Sequence, residues 1–148
     1  MPENCNACER SETASEALSE RGARLTDLRR DVLQTLHHSP KPVGAYELFD
    51  QLKEAGKASA PPAVYRVLDF LVEQGLAHKL QSLSAYTACK STPHAHEAFF
   101  RICRECGQVT ETAVPASLKD VAAQDEFIAE HLVVEALGLC RECQESTL

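Results

Sequence analysis

Two cysteine pairs with the same spacing are the clearest chemical feature of the sequence. Cys103 and Cys106 form one Cys-x-x-Cys pair, and Cys140 and Cys143 form the other. Each pair can supply two thiolates to one tetrahedral ion, so the two pairs together predict a four-sulfur zinc site. Such a site has no open coordination position, and its expected role is therefore structural.

A second set of metal-ligand residue types lies around the join between a cysteine-free and a cysteine-rich part of the chain. The set is His78, Cys89, His94, His96, Glu111 and His131. A site built from these residues would straddle two modules, so that ion occupancy would fix the geometry of a hinge, as in a metal sensor. One thiolate among nitrogen and oxygen ligands suits Zn²⁺, whereas histidines and carboxylates alone would suit Fe²⁺ or Mn²⁺ better. The isolated pair Cys5 and Cys8 is expected to be non-functional.

Three apolar stripes and two short β-rich runs must position these residues. The first helix is expected to begin at the N-cap Thr26 and to end before Ser39-Pro40, and the third to open at Pro61-Pro62 and end at Gly75. The apolar positions of the three helices are Leu28, Val32 and Leu36; Ala45, Leu48, Phe49 and Leu52; and Val64, Val67, Leu68, Leu71 and Val72. Residues 76–80 and 85–89 then predict a hairpin.

Three helices followed by a hairpin are typical of a winged helix-turn-helix, whose third helix enters the major groove of DNA. A helical interaction module would show similar stripes. Tyr65 and Arg66 favour DNA, because they lie near the N-terminal end of the third helix, where Arg can bond a guanine through two hydrogen bonds.

The C-terminal module has 33 residues between its cysteine pairs. This length exceeds a minimal zinc ribbon and accommodates a strand at 108–113, a helix near 116–129 and a strand at 131–137. The expected fold class is therefore α+β: an N-terminal winged helix and a C-terminal α/β domain with a structural zinc site.

Charge and composition bound the remaining possibilities. The 148 residues carry a net charge of −7 and include seven cysteines. No secretory signal or membrane-length apolar run is apparent, so a cytoplasmic protein with reduced, metal-binding cysteines is expected. Residues 1–17, 18–82 and 83–148 carry −3, +1 and −5, so the acidity lies outside the module expected to read DNA.

The same composition shifts suggest the domain organisation. We expect an acidic, disordered tail at 1–17, a winged-helix domain at 18–89, a hinge at 90–97 and a metal-binding dimerisation domain at 98–148. A zinc deaminase is disfavoured, because its signature needs Pro before Cys-x-x-Cys and an open position for water. A zinc-ribbon interaction module would leave Tyr65 and Arg66 without a role.

Three stretches resemble the Fur family of metalloregulators, and most closely its zinc uptake regulator branch, Zur. They are Arg24–Leu33 (RLTDLRRDVL), Pro61–Leu76 (PPAVYRVLDFLVEQGL) and Phe100–Gly107 (FRICRECG). The features that point to the zinc branch are Pro-Pro ahead of Val-Tyr-Arg, His78-Lys79 and Ser84–Cys89 (SAYTAC). The family usually has Thr or Ser where this chain has Ala63.

The resemblance implies a homodimeric repressor of zinc-uptake genes that binds operator DNA when loaded with zinc, at least two ions per subunit. By position it assigns Cys103, Cys106, Cys140 and Cys143 to structural zinc and His78, Cys89, His96 and Glu111 to regulatory zinc. It assigns Tyr65 and Arg66 to base contacts, His94 and His131 to a further metal site, and Asp50 and Lys53 to contacts between two dimers on one operator. An iron or peroxide sensor of the same family is the alternative.

Overall fold

The computed structural model describes residues 6–89, 97–130 and 132–146, with the side chains of residues 6–11 excepted. The chain divides into two compact units, Met1–Ala95 and His96–Leu148. The division falls within the segment expected to be a hinge.

The first unit contains the three helices and the hairpin that the sequence predicts. Its elements are α1 (Asn6–Glu20), α2 (Asp27–His38), β1 (Val43–Gly44), α3 (Ala45–Glu54), α4 (Pro61–Glu73), β2 (Ala77–Leu80) and β3 (Ala85–Ala88). The Thr26 hydroxyl accepts a hydrogen bond from the Arg29 backbone N–H at 3.4 Å, which confirms the predicted N-cap of α2. Gly75 lies at φ 72°, a left-handed conformation that ends α4 and turns the chain directly into β2.

Helix α1 differs from the expectation of a disordered tail over residues 1–17. The backbone is helical from Asn6 onward, and Ala14 and Leu18 are buried in the core of the first unit. These two side chains are spaced by four residues, so they lie on one face of the helix and pack inward. Tertiary packing therefore orders a segment whose many Glu and Ser residues conceal a narrow apolar stripe.

The core of the first unit lies among α2, α3 and α4. Most residues of the three predicted apolar stripes are buried in it, whereas Leu28 and Val72 are half-buried, and Leu33, outside the predicted stripe, is buried as well. The most deeply buried side chains are Val32, Leu33, Leu48, Leu52, Val64, Leu68 and Leu71. Burial of this face leaves the opposite side of α4 exposed. The core thereby determines which residues of α4 can meet a partner.

A sheet of three strands, in the order β1-β3-β2, covers the helices. Lys79 pairs with Tyr86 and His78 with Thr87 in the antiparallel hairpin. Neighbouring residues of a strand point to opposite faces. Ala77, Tyr86 and Ala88 belong to the helix-packed core, so His78 and Thr87 lie on the other face of the sheet.

The second unit is built on a sheet with the order β5-β4-β6. Its elements are β4 (Ala98–Cys103), β5 (Val109–Thr112), α5 (Ala116–Ala122), a 3₁₀ turn (Gln124–Glu126), β6 (Val133–Gly138) and α6 (Arg141–Ser146). β4 pairs antiparallel with β5 and parallel with β6. Phe100, at the centre of β4, is fully buried.

The predicted helix near 116–129 is shorter in the structure. It ends at Ala122, and Asp125 and Glu126 take left-handed φ angles of 57° and 60°. An α-helix cannot continue through such residues. Among the described residues, no helix is both long and apolar enough to cross a membrane.

Truncation of one core side chain of α4 tests this packing. Leu68 is fully buried, so Leu68→Ala should lower the free energy of unfolding by about 2–5 kcal/mol, measured by urea denaturation followed by circular dichroism. Leu83, which is 41% exposed, is the matched control, and Leu83→Ala should change it by less than about 0.5 kcal/mol. Equal effects of the two substitutions would contradict the burial of Leu68 in the helical core.

Candidate metal centres and DNA-reading helix

The parallel pairing of β4 with β6 brings the two cysteine pairs together. Cys103 is the last residue of β4 and is in register with Gly138, the last residue of β6. Parallel strands end at the same edge of a sheet, so the turns that follow them begin side by side. The Arg104 backbone N–H donates to the Gly138 carbonyl at 2.9 Å and holds the two turns together.

The four sulfur atoms lie close enough together to bind one tetrahedrally coordinated ion. All four Sγ atoms lie within 4.8 Å of one another. The Cys106 and Cys140 Sγ atoms are 3.8 Å apart. A tetrahedron with Zn–S bonds of about 2.3 Å has edges of about 3.8 Å, so the donor set and its spacing fit Zn²⁺. Four thiolates fill that coordination shell.

Backbone turns build this cysteine cluster. Gly107, at φ 73°, donates its N–H to the Cys103 carbonyl at 2.9 Å, which closes the first turn. At the second turn the Gln144 N–H donates to the Cys140 carbonyl at 3.0 Å, and Cys143 lies in α6. Glycine adopts this left-handed conformation at low energetic cost, which explains why Gly107 occupies this position of the first turn.

The local surroundings give the thiols of Cys103 and Cys143 different pKa values. Backbone N–H groups of Cys106 and Cys140 donate to the Cys103 sulfur and lower the pKa of that thiol to about 6. The Cys140 contact measures 3.4 Å. A hydrogen bond with Cys140, together with burial, raises the pKa of Cys143 to about 12. Cys103 is thus a thiolate near neutral pH and Cys143 a thiol, so metal uptake releases protons and the metal affinity falls as pH falls.

The hairpin of the first unit brings together two residues of the predicted regulatory site. The Cys89 N–H donates to the Leu76 carbonyl at 2.9 Å, which continues the pairing of β3 beyond its last residue. Cys89 therefore lies on the same face as His78, and the Cys89 Sγ is within 4.8 Å of a ring nitrogen of His78. His78 is 8% exposed and Cys89 is 5% exposed. A buried imidazole beside a buried thiol is a chemically suitable half of a metal site.

Among the remaining predicted ligands, Glu111 is the one that the described residues include. Glu111 lies on β5 of the second unit, where it is half-buried and in register with Phe100. His94, His96 and His131 lie outside the described residues, as do Cys5 and the side chain of Cys8.

The exposed side of α4 carries the two residues predicted to read DNA. Tyr65 and Arg66 lie in the first two turns of the helix, and Tyr65 is 39% exposed. Asp69 and Glu73 are exposed further along the same helix. The N-terminal end can therefore offer a guanidinium and a phenol to base edges, while the acidic residues weaken sequence-independent attraction to phosphates.

Sequence reasoning missed Tyr46 as a third residue of this surface. Tyr46 lies at the start of α3, is 67% exposed and meets the Tyr65 ring edge-on, with the ring centroids 6.2 Å apart. Its position off the apolar stripe of α3 was the available signal. The contact holds the Tyr65 ring in place and extends the exposed aromatic surface from α4 onto α3.

Comparisons with known proteins agree with these features. The sequence profile of the ferric uptake regulator family matches residues 20–135. The chain is 38% identical over 136 residues to the zinc uptake regulation protein of Escherichia coli K12, an alignment that covers 89% of this chain and 80% of that protein. The resemblance inferred from the sequence motifs is thereby confirmed.

Two solved structures are similar along nearly the whole chain. A zinc uptake regulator complexed with zinc and DNA superposes with a TM-score of 0.87 at 36% identity, over 96% of this chain and 97% of that one. Holo XcZur superposes with a TM-score of 0.82 at 38% identity, over 91% and 96% of the two chains. The predicted α+β fold class is confirmed by this similarity.

Removal of one cluster sulfur tests the four-sulfur site. Cys106→Ser should reduce bound metal by about one ion per chain, measured by elemental mass spectrometry after dialysis against a weak chelator, because a hydroxyl replaces one of four thiolates. Cys8→Ser is the matched control and should leave the metal content unchanged, as expected of a non-functional pair. Retention of the full metal content by the Cys106 variant would show that these cysteines are not zinc ligands.

Proposed function

We propose, from the premise that this chain belongs to the ferric uptake regulator family, that it is a zinc-responsive DNA-binding transcriptional regulator that represses zinc-uptake genes when zinc is bound. One observation carries the proposal. A buried His78–Cys89 pair and an exposed Tyr65–Arg66 pair occupy a single winged-helix unit, so one small domain contains both side chains suited to bind a metal and side chains suited to read DNA.

The proposed regulatory zinc site combines His78 and Cys89 with His96 of the hinge and Glu111 of β5. Zinc, when bound, supplies a cross-link between ligands that belong to different parts of the chain. The single thiolate of Cys89 favours zinc over Fe²⁺, which prefers histidine and carboxylate ligands. His94 and His131 are proposed as ligands of a further site.

The ligand residues themselves determine how the proposed site responds to pH and to zinc. Cys89 must lose its proton and the histidines must be neutral, so acid opposes binding. Ligands on the hairpin, the hinge and β5 restrict the relative motion of the two units only when all are engaged together. Without that restriction, the two winged helices of a dimer sample spacings that rarely match successive major grooves.

DNA reading is proposed for the N-terminal end of α4. Arg66 can donate two hydrogen bonds to a guanine, and Tyr65 offers a hydroxyl and an aromatic face to neighbouring bases. Tyr46 extends the same surface from α3. Because Asp69 and Glu73 share the exposed side of α4, affinity for unrelated sequences is expected to be low.

A homodimer is proposed through the second unit. Strand β6 is an edge of its sheet, with β4 as its one neighbour among the described strands. Five large apolar side chains of β6 and of the preceding segment 121–128 are more than half exposed in the single chain: Val121, Phe127, Ile128, Val133 and Leu137. An open edge flanked by apolar residues suits a two-fold contact with a second copy.

Asp50 and Lys53, both exposed on α3, are proposed to connect neighbouring dimers on one operator.

Loss of a regulatory ligand tests the switch. Genomic DNA fragments bound by the protein in buffered zinc would first be footprinted to define an operator duplex. Cys89→Ser should then bind this duplex at least about tenfold more weakly at a zinc concentration that saturates the wild type, because a hydroxyl is a poor zinc ligand. Cys8→Ser is the control with unchanged affinity. If the wild type binds the duplex equally well with and without zinc, the proposed zinc-sensing role is wrong. Analysis of the bound metal after purification at limiting zinc and iron would identify an iron sensor instead.

Arg66 offers a test of base reading. Arg66→Lys keeps the charge but loses the planar fork, so discrimination against a substituted guanine should fall by about 1–3 kcal/mol, measured by competition between duplexes. The salt dependence of binding should stay the same, because the number of cations on the surface is unchanged. Equal weakening for every sequence would indicate that Arg66 contacts phosphate alone.

A further inference from the structure

One side of α4 carries a line of three residues with different partners. Arg66, Phe70 and Gln74 follow one another at intervals of four, so they lie one above another along the helix. Arg66 is exposed at the end proposed to read bases. Phe70 and Gln74 are each held by a guanidinium from another part of the first unit.

The first guanidinium belongs to Arg29 of α2. Its Cζ atom lies 3.5 Å from the centroid of the Phe70 ring. Its Nη1 also donates a hydrogen bond of 2.7 Å to the Arg24 carbonyl in the segment that precedes α2. Stacking on one side and a hydrogen bond on the other fix both the position and the plane of this group.

The second guanidinium belongs to Arg21, just after α1. Its Nη1 donates to the Gln74 carbonyl at 2.9 Å and approaches the Gln74 side-chain oxygen at 3.3 Å. Gln74 is the C-cap of α4, where carbonyl groups lack helical partners and the helix dipole is negative. The cation therefore caps the end of α4 opposite to the bases.

We infer that Arg29 and Arg21 are positioning residues, which we name the arginine clamp, and that the clamp sets the rotation and axial position of α4 so that Arg66 meets its base. This inference rests on the base-reading role proposed for Arg66. Arg21 and Arg29 act through Phe70 and Gln74 and make no base contact themselves.

The apolar core alone leaves this position less well defined. Leu68 and Leu71 are buried on the other side of α4. Apolar burial is non-directional, however, and tolerates small sliding and rotation of the helix. Stacking and hydrogen bonds are directional and oppose both motions. A base contact through two hydrogen bonds requires that precision, because it weakens when its geometry is distorted.

The test uses the full-length, zinc-loaded protein with two probes: the footprinted duplex and a duplex of equal length with its footprinted bases shuffled. Phe70→Leu removes the ring but keeps an apolar side chain. It should reduce the ratio of the two dissociation constants by about fivefold, the effect of about 1 kcal/mol of lost stacking. The slope of log affinity against log salt should not change, since no cation is removed.

Three further variants, Arg29→Lys, Arg29→Gln and Arg30→Lys, and one spectroscopic measurement complete the design. Arg29→Lys should reduce the ratio similarly, because a lysine cannot both stack and hydrogen-bond in this plane. Arg30→Lys is the matched control, because Arg30 is the next residue of α2 and its ion pair is with Asp27 of the same helix. It should behave as wild type. The backbone amide resonance of Arg66, recorded without DNA, should shift in Phe70→Leu and in Arg29→Lys and should not shift in Arg30→Lys.

The possible results separate three interpretations. An unchanged ratio and an unchanged Arg66 resonance in Phe70→Leu would overturn the clamp, and the same two readings in Arg29→Lys would overturn it if Phe70→Leu does not fold. A salt slope reduced by about 0.9 in Arg29→Gln, with Arg29→Lys normal, would make Arg29 a phosphate contact and also overturn it. If the wild type does not distinguish the duplexes, the proposed function fails, and the Arg66 resonance alone then decides whether the clamp exists.

Discussion

The two faces of one thin sheet are the constraint on which the first unit depends. Strands β2 and β3 turn Ala77, Tyr86 and Ala88 toward the helices. The alternation of side chains along a strand then leaves His78 and Cys89 no alternative but the opposite face. Since β2 follows α4 after a single tight turn at Gly75, the strand that carries His78 is the direct continuation of the helix proposed to read DNA. The residues proposed to sense zinc and to read DNA are thus joined by a short stretch of backbone.

The second unit depends on a comparable constraint, namely the register of two parallel strands. Cys103 and Gly138 end β4 and β6 at the same level, so the cysteine pairs meet although 33 residues separate them in sequence. The crossover through β5 and α5 makes this parallel pairing possible. A one-residue slip would move Cys103 to the other face of the sheet and separate the sulfur atoms.

Helices α2, α3 and α4 and the cysteine cluster could be predicted, because apolar periodicity, caps and ligand spacing are local signals. Helix α1 could not, since its burial rests on Ala14 and Leu18 within a polar segment. Strand β4 was missed because its central Phe100 has meaning only once β5 and β6 are paired with it. The contact of Arg29 with Phe70 joins two helices far apart in sequence, and no local pattern encodes such a contact.

The parallel pairing of β4 with β6 across a long connection also affects the rate of folding. Strands β4 and β6 meet only after the intervening chain has closed a loop, and such non-local contacts form slowly because the entropy of closure precedes the gain from pairing. The metal ion proposed to bind both cysteine pairs would shorten this search in the way that a cross-link does. Chains synthesised during metal shortage would therefore spend longer with unpaired strand edges exposed to aggregation. With the proposed zinc site, the supply of the metal would thus affect the folding rate of the protein as well as its final stability.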